Sequence, residues 1–186
     1  PRKVSYIEFN EWNKGDDQII TRFINLQTIY IDNCKTLINL NWTPSNPLHI
    51  FITRYNSTEH LHLYGNISIL EIENTNMAMV LYFFRMRSLN ALKFTDSNLS
   101  NINFNSLNNI QITEITIQGG IIPFTQLNDI LKFCTNLESI VIQNTEIVGI
   151  PPDGGKLNFK LDKLNKKMFI DTEQNNELYL PYGKIF

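Results

Sequence analysis

Leu26-Gln-Thr-Ile29-Tyr-Ile31-Asp-Asn-Cys34 is the stretch on which the fold turns, because its spelling returns along the chain. Leu89-Asn-Ala-Leu92-Lys-Phe94-Thr-Asp-Ser97-Asn-Leu99 repeats it, and so does Leu137-Glu-Ser-Ile140-Val-Ile142-Gln-Asn-Thr145-Glu-Ile147. The first reads L-x-x-L-x-L-x-x-N/C with Ile replacing Leu, and the other two keep its apolar positions with Ser97 and Thr145 at the last. Weaker copies centre on Ile7/Phe9, Phe51/Thr53, Leu70/Ile72 and Ile115/Ile117. The first core residues then fall at 7, 29, 51, 70, 92, 115 and 140, in steps of 22, 22, 19, 22, 23 and 25. Seven units at nearly constant spacing mark an internal repeat.

The spacing has a physical reading. Each L-x-L places two side chains on one face of a short strand, because side chains alternate with a period of two. One unit cannot bury that face alone, but units stacked in a parallel ladder build a continuous core. The rest of each repeat returns outside the ladder. Between Phe124 and Cys134 the return reads as helix, with Thr125 as N-cap and Leu127, Ile130, Leu131 and Cys134 on one stripe. Met77 to Met86 is apolar on most sides and reads as a buried helix, and Asp16-Asp17 precede Ile19, Ile20 and Phe23 as at a helix start. Thr43-Pro-Ser-Asn-Pro47 reads as a loop.

This spelling resembles the leucine-rich-repeat superfamily. The run Leu131-Lys-Phe-Cys134-Thr-Asn-Leu137-Glu-Ser-Ile140 is most similar to the helix-to-strand junction of the cysteine-containing repeats of F-box/LRR proteins. The resemblance covers about residues 4 to 147. It implies an α/β leucine-rich-repeat solenoid, with a curved parallel β-ladder on the concave side and short helices and loops on the convex side. About seven repeats would occupy residues 1–150, with a divergent last repeat and C-terminal cap over 151–186, after the break at Pro151-Pro-Asp-Gly-Gly155. Strand material appears by Val4 without an amphipathic cap, so further chain or a partner is expected against the first repeat. No F-box spelling occurs within the 186 residues, so an adaptor role would need sequence outside them.

Composition narrows the function. Sixteen Lys+Arg against eighteen Asp+Glu give a net charge of −2, which offers no broad cationic surface for a phosphate backbone, and nucleic acid is not the expected partner. The longest apolar run, Met77 to Phe84, falls far short of the roughly 18 residues that span a bilayer. Asn-x-Ser/Thr occurs at Asn41, Asn56, Asn66 and Asn98, but a chain with 25 Asn produces about three such matches by chance.

Cys34 and Cys134 lie at least four strand steps apart in such a ladder, roughly 20 Å, and a disulfide needs Cα atoms within about 7 Å. They are expected to be unpaired, Cys34 as a small apolar core residue. An intracellular setting, cytoplasmic or nuclear, is therefore expected, with an extracellular or cell-surface domain as the alternative.

Chemistry-bearing motifs are sparse. His60 and His62 alternate around Leu61 as in some zinc sites, but the other histidine, His49, is a repeat away, and a solvated stripe accounts for the pair better. Gly119-Gly120 and Gly154-Gly155 lack the Lys-Ser/Thr or G-x-G-x-x-G context of phosphate loops and read as turn glycines. No nucleophile–base arrangement stands out, so no enzyme activity, catalytic residue, metal or cofactor is expected.

The x positions of the strands carry the functional expectation. Under this assignment the concave face displays Glu8, Tyr30, Ile52, Glu71 and Lys93 between the core residues, then Asp32, Arg54 and Glu73, then Glu11, Tyr55 and Asp96. The acids Glu8, Glu11, Asp32, Glu71, Glu73 and Asp96 outnumber the bases Arg54 and Lys93. Tyr30, Ile52 and Tyr55 form the expected exposed apolar patch of a binding hot spot. The expected partner is another protein with a basic or mixed-charge segment, bound by a non-enzymatic scaffold. Resemblance implies the recognition or assembly subunit of a ubiquitin-ligase-like or other complex; an adhesin, receptor or secreted effector is the alternative.

Overall fold

Alternating apolar residues form strands at each repeat. In chain order these are β1 (Tyr6–Phe9), β2 (Thr28–Asp32), β3 (Asn39–Trp42), β4 (Leu48–Thr53), β5 (His62–Gly65) and β6 (Ile67–Glu73). They continue as β7 (Ala91–Thr95), β8 (Glu114–Gln118), β9 (Ile121–Pro123), β10 (Ser139–Gln143), β11 (Glu146–Val148) and β12 (Lys167–Asp171). The structure, a computed structural model, describes residues 3–34, 36, 38–55, 61–75, 86 and 88–149, with the backbone of 167–171. The helix expected over Met77–Met86, apart from Met86 itself, lies outside the described residues, as do His60, Gly154, Gly155 and the rest of 151–166 and 172–186.

Eight strands make one sheet in the order β1-β2-β4-β6-β7-β8-β10-β12. Every neighbouring pair is parallel. The order follows the sequence, as it must when each repeat adds one strand beside the last. Two aliphatic columns fix the register. Ile29, Ile50, Leu70, Leu92, Ile115 and Ile140 are in line, and Ile31, Ile52, Ile72, Phe94, Ile117 and Ile142 form the second column. Both columns are buried to within 1% of full burial. Each such side chain contributes about 1.5–3 kcal/mol on leaving water.

The returns close the other side of the core. β3 pairs with β5 and β9 with β11, both parallel, so parts of the expected loops and helices are instead short strands. The alternation Leu40/Trp42 and Leu61/Leu63 explains why, since these four side chains are buried. Helix α1 spans Asp16–Ile20 and α2 spans Phe124–Phe133, with a 3-10 turn over Phe104–Asn109. Leu127, Ile130, Leu131 and Cys134 are buried as the stripe predicts. The N-cap of α2 is Pro123 rather than Thr125, so the helix starts earlier than expected. Thr43–Pro47 is a loop, braced by the Asn66 amide donating to Ser45 O at 2.8 Å and by Trp42 Nε1 donating to Asn46 O at 2.9 Å.

The third repeat corrects the sequence alignment by one residue. Its core pair is Ile50/Ile52, and Phe51 is level with Tyr30. Leu48, Ile50 and Ile52 all face the interior, so this strand satisfies one more inward position than the Phe51/Thr53 reading allowed. A left-handed residue follows the strand in six repeats: Asn33, Arg54, Asn74, Asp96, Gly119 and Asn144 have φ between 46° and 70°. The backbone N–H of Asn33 donates to Thr53 O and that of Asp96 to Gln118 O, so the turn extends the ladder by one rung. Gly119 and Gly120 are turn glycines, as expected. A Cβ on Gly120, at φ +72°, would lie 2.2 Å from Ser97 O.

Candidate binding face

One side of the large sheet is packed and the other is open. The open side presents the residues between the core columns: Glu8, Tyr30, Phe51, Glu71, Lys93, Thr116 and Val141 in a row across seven strands. Strand alternation places them there, and parallel in-register pairing sets consecutive members about 4.8 Å apart.

Its aromatic centre is Tyr30 and Phe51. The rings stack with centroids 5.0 Å apart and planes 11° from parallel, and both residues are half-buried. Ile52 and Tyr55, expected here, are in the core at 0% and 1% exposure. Phe51 takes the place assigned to Ile52, and Arg54 takes the place assigned to Tyr55. The inward run Leu48-x-Ile50-x-Ile52 was the signal for this register, and Arg54 disguised it by standing where other repeats carry Asn, Asp or Gly.

The charges pair across strands. Arg54 Nε donates to Asp32 Oδ1 at 2.8 Å, and its Nη2 donates to Asp32 Oδ2, a bidentate clamp between β2 and the turn after β4. Hydrogen bonding from Arg54 holds the Asp32 carboxyl below the usual aspartate range. Lys93 Nζ donates to Glu71 Oε1 at 3.2 Å, and His49 Nε2 approaches the same oxygen at 3.0 Å. Lys93 thereby ties β7 to β6, whereas His49 on β4 lies within ion-pair distance of the carboxylate without hydrogen-bonding to it. Glu8 accepts a hydrogen bond from the Tyr6 hydroxyl at 3.1 Å, and Glu73 accepts one from the Asn74 amide at 3.2 Å. Partial burial raises the Tyr30 hydroxyl above the usual tyrosine value, and the carboxylates of Asp32, Glu73 and Glu8 push it the same way. The expected acids thus do gather around Tyr30, while Asp96 is exposed further along, at the turn after β7. Glu11 is exposed beyond the end of β1.

Beyond β7 the row becomes neutral, with Thr116 and Val141 flanked by Gln118 and Gln143. The aromatic pair and most of the charged groups are therefore on the first five strands of the sheet, Glu114 on β8 being an exception.

Other candidate chemistry is quiet. Cys34 and Cys134 are free and buried, and burial pushes their thiols up to about 11 and about 12. His62 is on β5, in the return layer, whereas His49 is on the open face. Among the described residues no group of three or more His, Cys, Asp or Glu is placed to hold a metal ion. No helix among them is long and apolar enough to cross a membrane. Compared with protein-family models, curated proteins and solved structures, the chain matches none.

Proposed function

We propose that the chain is a leucine-rich-repeat-type solenoid acting as a non-enzymatic scaffold, which binds another protein through the open face of its large sheet. The observation that carries this reading is the half-exposed Tyr30–Phe51 stack, set among carboxylates on a face otherwise built from regular strands. Aromatic residues of that kind anchor protein interfaces, since a ring brings large contact area with few rotatable bonds. The partner carries a basic or mixed-charge segment. A subunit of a ubiquitin-ligase-like or other multiprotein assembly follows from the repeat spelling by analogy of fold, which does not by itself fix function. A reducing, intracellular compartment belongs to the same proposal and rests on two buried, unpaired thiols.

The test is crosslinking of the full-length protein in its native source, followed by mass spectrometry. The scaffold reading expects a stoichiometric partner crosslinked through the first five strands of the face, around Glu8, Lys93 and their neighbours. Recovery as a lone, glycosylated monomer would overturn it in favour of a surface-exposed domain.

A further inference from the structure

The Tyr30–Phe51 stack runs from strand to strand, because 5.0 Å between ring centroids matches the spacing of neighbouring strands. Each ring therefore has a second face. That of Phe51 is turned toward β6, where Glu71 is already paired with Lys93. That of Tyr30 is turned toward β1, the edge strand, where the next member of the row is Glu8. Glu8 is exposed, and the group that donates a hydrogen bond to it is a neutral hydroxyl, that of Tyr6. Arg54, the cation whose charge reaches Tyr30, is clamped by Asp32. An aromatic face beside a carboxylate that has no cationic partner among the described residues is complementary to a flat cation.

We propose that the slot between Tyr30 and Glu8 takes an arginine side chain of the partner, a specificity site that rests on the binding role of this face. The guanidinium stacks on Tyr30 as a third layer of the existing pair and turns its fork of N–H donors to the Glu8 carboxylate. A lysine supplies the charge but neither the plane nor the fork, so arginine is favoured. Asp32 and Glu73 add long-range attraction, and Arg54 stays with Asp32.

The probe is N-acetyl-arginine methylamide, titrated into the full chain and followed by backbone amide NMR, with the citrulline and lysine analogues as controls. The expected result is saturable shifts at Glu8, Tyr30 and Phe51, at least tenfold weaker binding of citrulline and severalfold weaker binding of lysine. Glu8→Gln lowers the arginine affinity at least fivefold, with an unchanged urea midpoint showing that the fold is intact. Equal binding of arginine and citrulline, or shifts confined to other strands, would overturn the arginine site. The outcome is separable from the scaffold reading. A partner crosslinked through the face but insensitive to Glu8→Gln and Tyr30→Ser sinks the arginine site alone. Arginine-specific shifts in a protein that crosslinks to no partner support the site and sink the scaffold.

Discussion

Phe51 stacks on Tyr30 while its chain neighbour Ile52 is buried in the core, so one residue of register decides which side chain a partner can meet. The same register sends Tyr55 inward at 1% exposure. Phe51→Ala and Tyr55→Ala should therefore behave as opposites. Tyr55→Ala opens a cavity and should lower stability by about 3–5 kcal/mol. Phe51→Ala removes one ring of a half-buried surface pair, about 1 kcal/mol, and should weaken partner binding severalfold. Urea denaturation of both variants, beside partner capture, checks the contrast; equal destabilisation would mean the register is wrong.

The turn after β8 is closed to any side chain. Gly120 has φ +72° and a Cβ there would meet Ser97 O at 2.2 Å. Gly120→Ala should lower stability by about 3 kcal/mol, the upper end for a strained backbone position. A midpoint of urea unfolding within error of the parent would contradict this turn geometry.

Both thiols should resist alkylation. Burial raises Cys34 to about 11 and Cys134 to about 12, so neither is a thiolate at pH 8 in the folded chain. Iodoacetamide should add no mass to the native protein and two carbamidomethyl groups after denaturation. The sign for stability follows from linkage. The folded thiols bind their protons more tightly than unfolded ones, so this contribution is complete below the unfolded value of 9.0 and declines as pH rises toward about 11. A pH scan of unfolding between 8 and 11 against Cys34→Ala and Cys134→Ala should show a shallower decline in the variants.

The Asp32–Arg54 clamp has the reverse sign. Arg54 lowers the Asp32 carboxyl, so the clamp contributes above the ordinary aspartate range and is lost as pH falls through and below it. Asp32→Asn should remove that acid dependence. The pair is partly exposed, with side-chain exposures of 56% for Arg54 and 20% for Asp32, so added salt should shrink the difference between parent and variant. A difference that persists unchanged from pH 3 to 7 would assign the clamp no electrostatic role.

The repeat was legible because L-x-x-L-x-L recurs at a spacing that only stacked parallel strands satisfy, and six of the seven expected core pairs are in the expected register. Asp32, Glu71, Glu73 and Lys93 were likewise readable as outward positions, since alternation alone assigns them. The third repeat was not, because Leu48-His-Ile-Phe-Ile-Thr-Arg-Tyr55 offers two overlapping apolar alternations and its turn residue is an arginine. Arg54 adopts a left-handed conformation that Asn, Asp and Gly occupy in the other repeats, and a short polar spelling could not announce it.

The sequence by itself determined the strand spacing, the parallel order and the inward aliphatic columns, because these follow from local alternation repeated along the chain. Only the tertiary structure decided that Phe51 rather than Ile52 meets Tyr30, that Arg54 is clamped by Asp32, and that one carboxylate oxygen of Glu71 gathers Lys93 and His49. Those relationships join residues a full repeat apart. They depend on which rung of one strand lies level with which rung of the next, and that choice is made when burial of Ile50, Ile52 and Tyr55 together outweighs every shifted register.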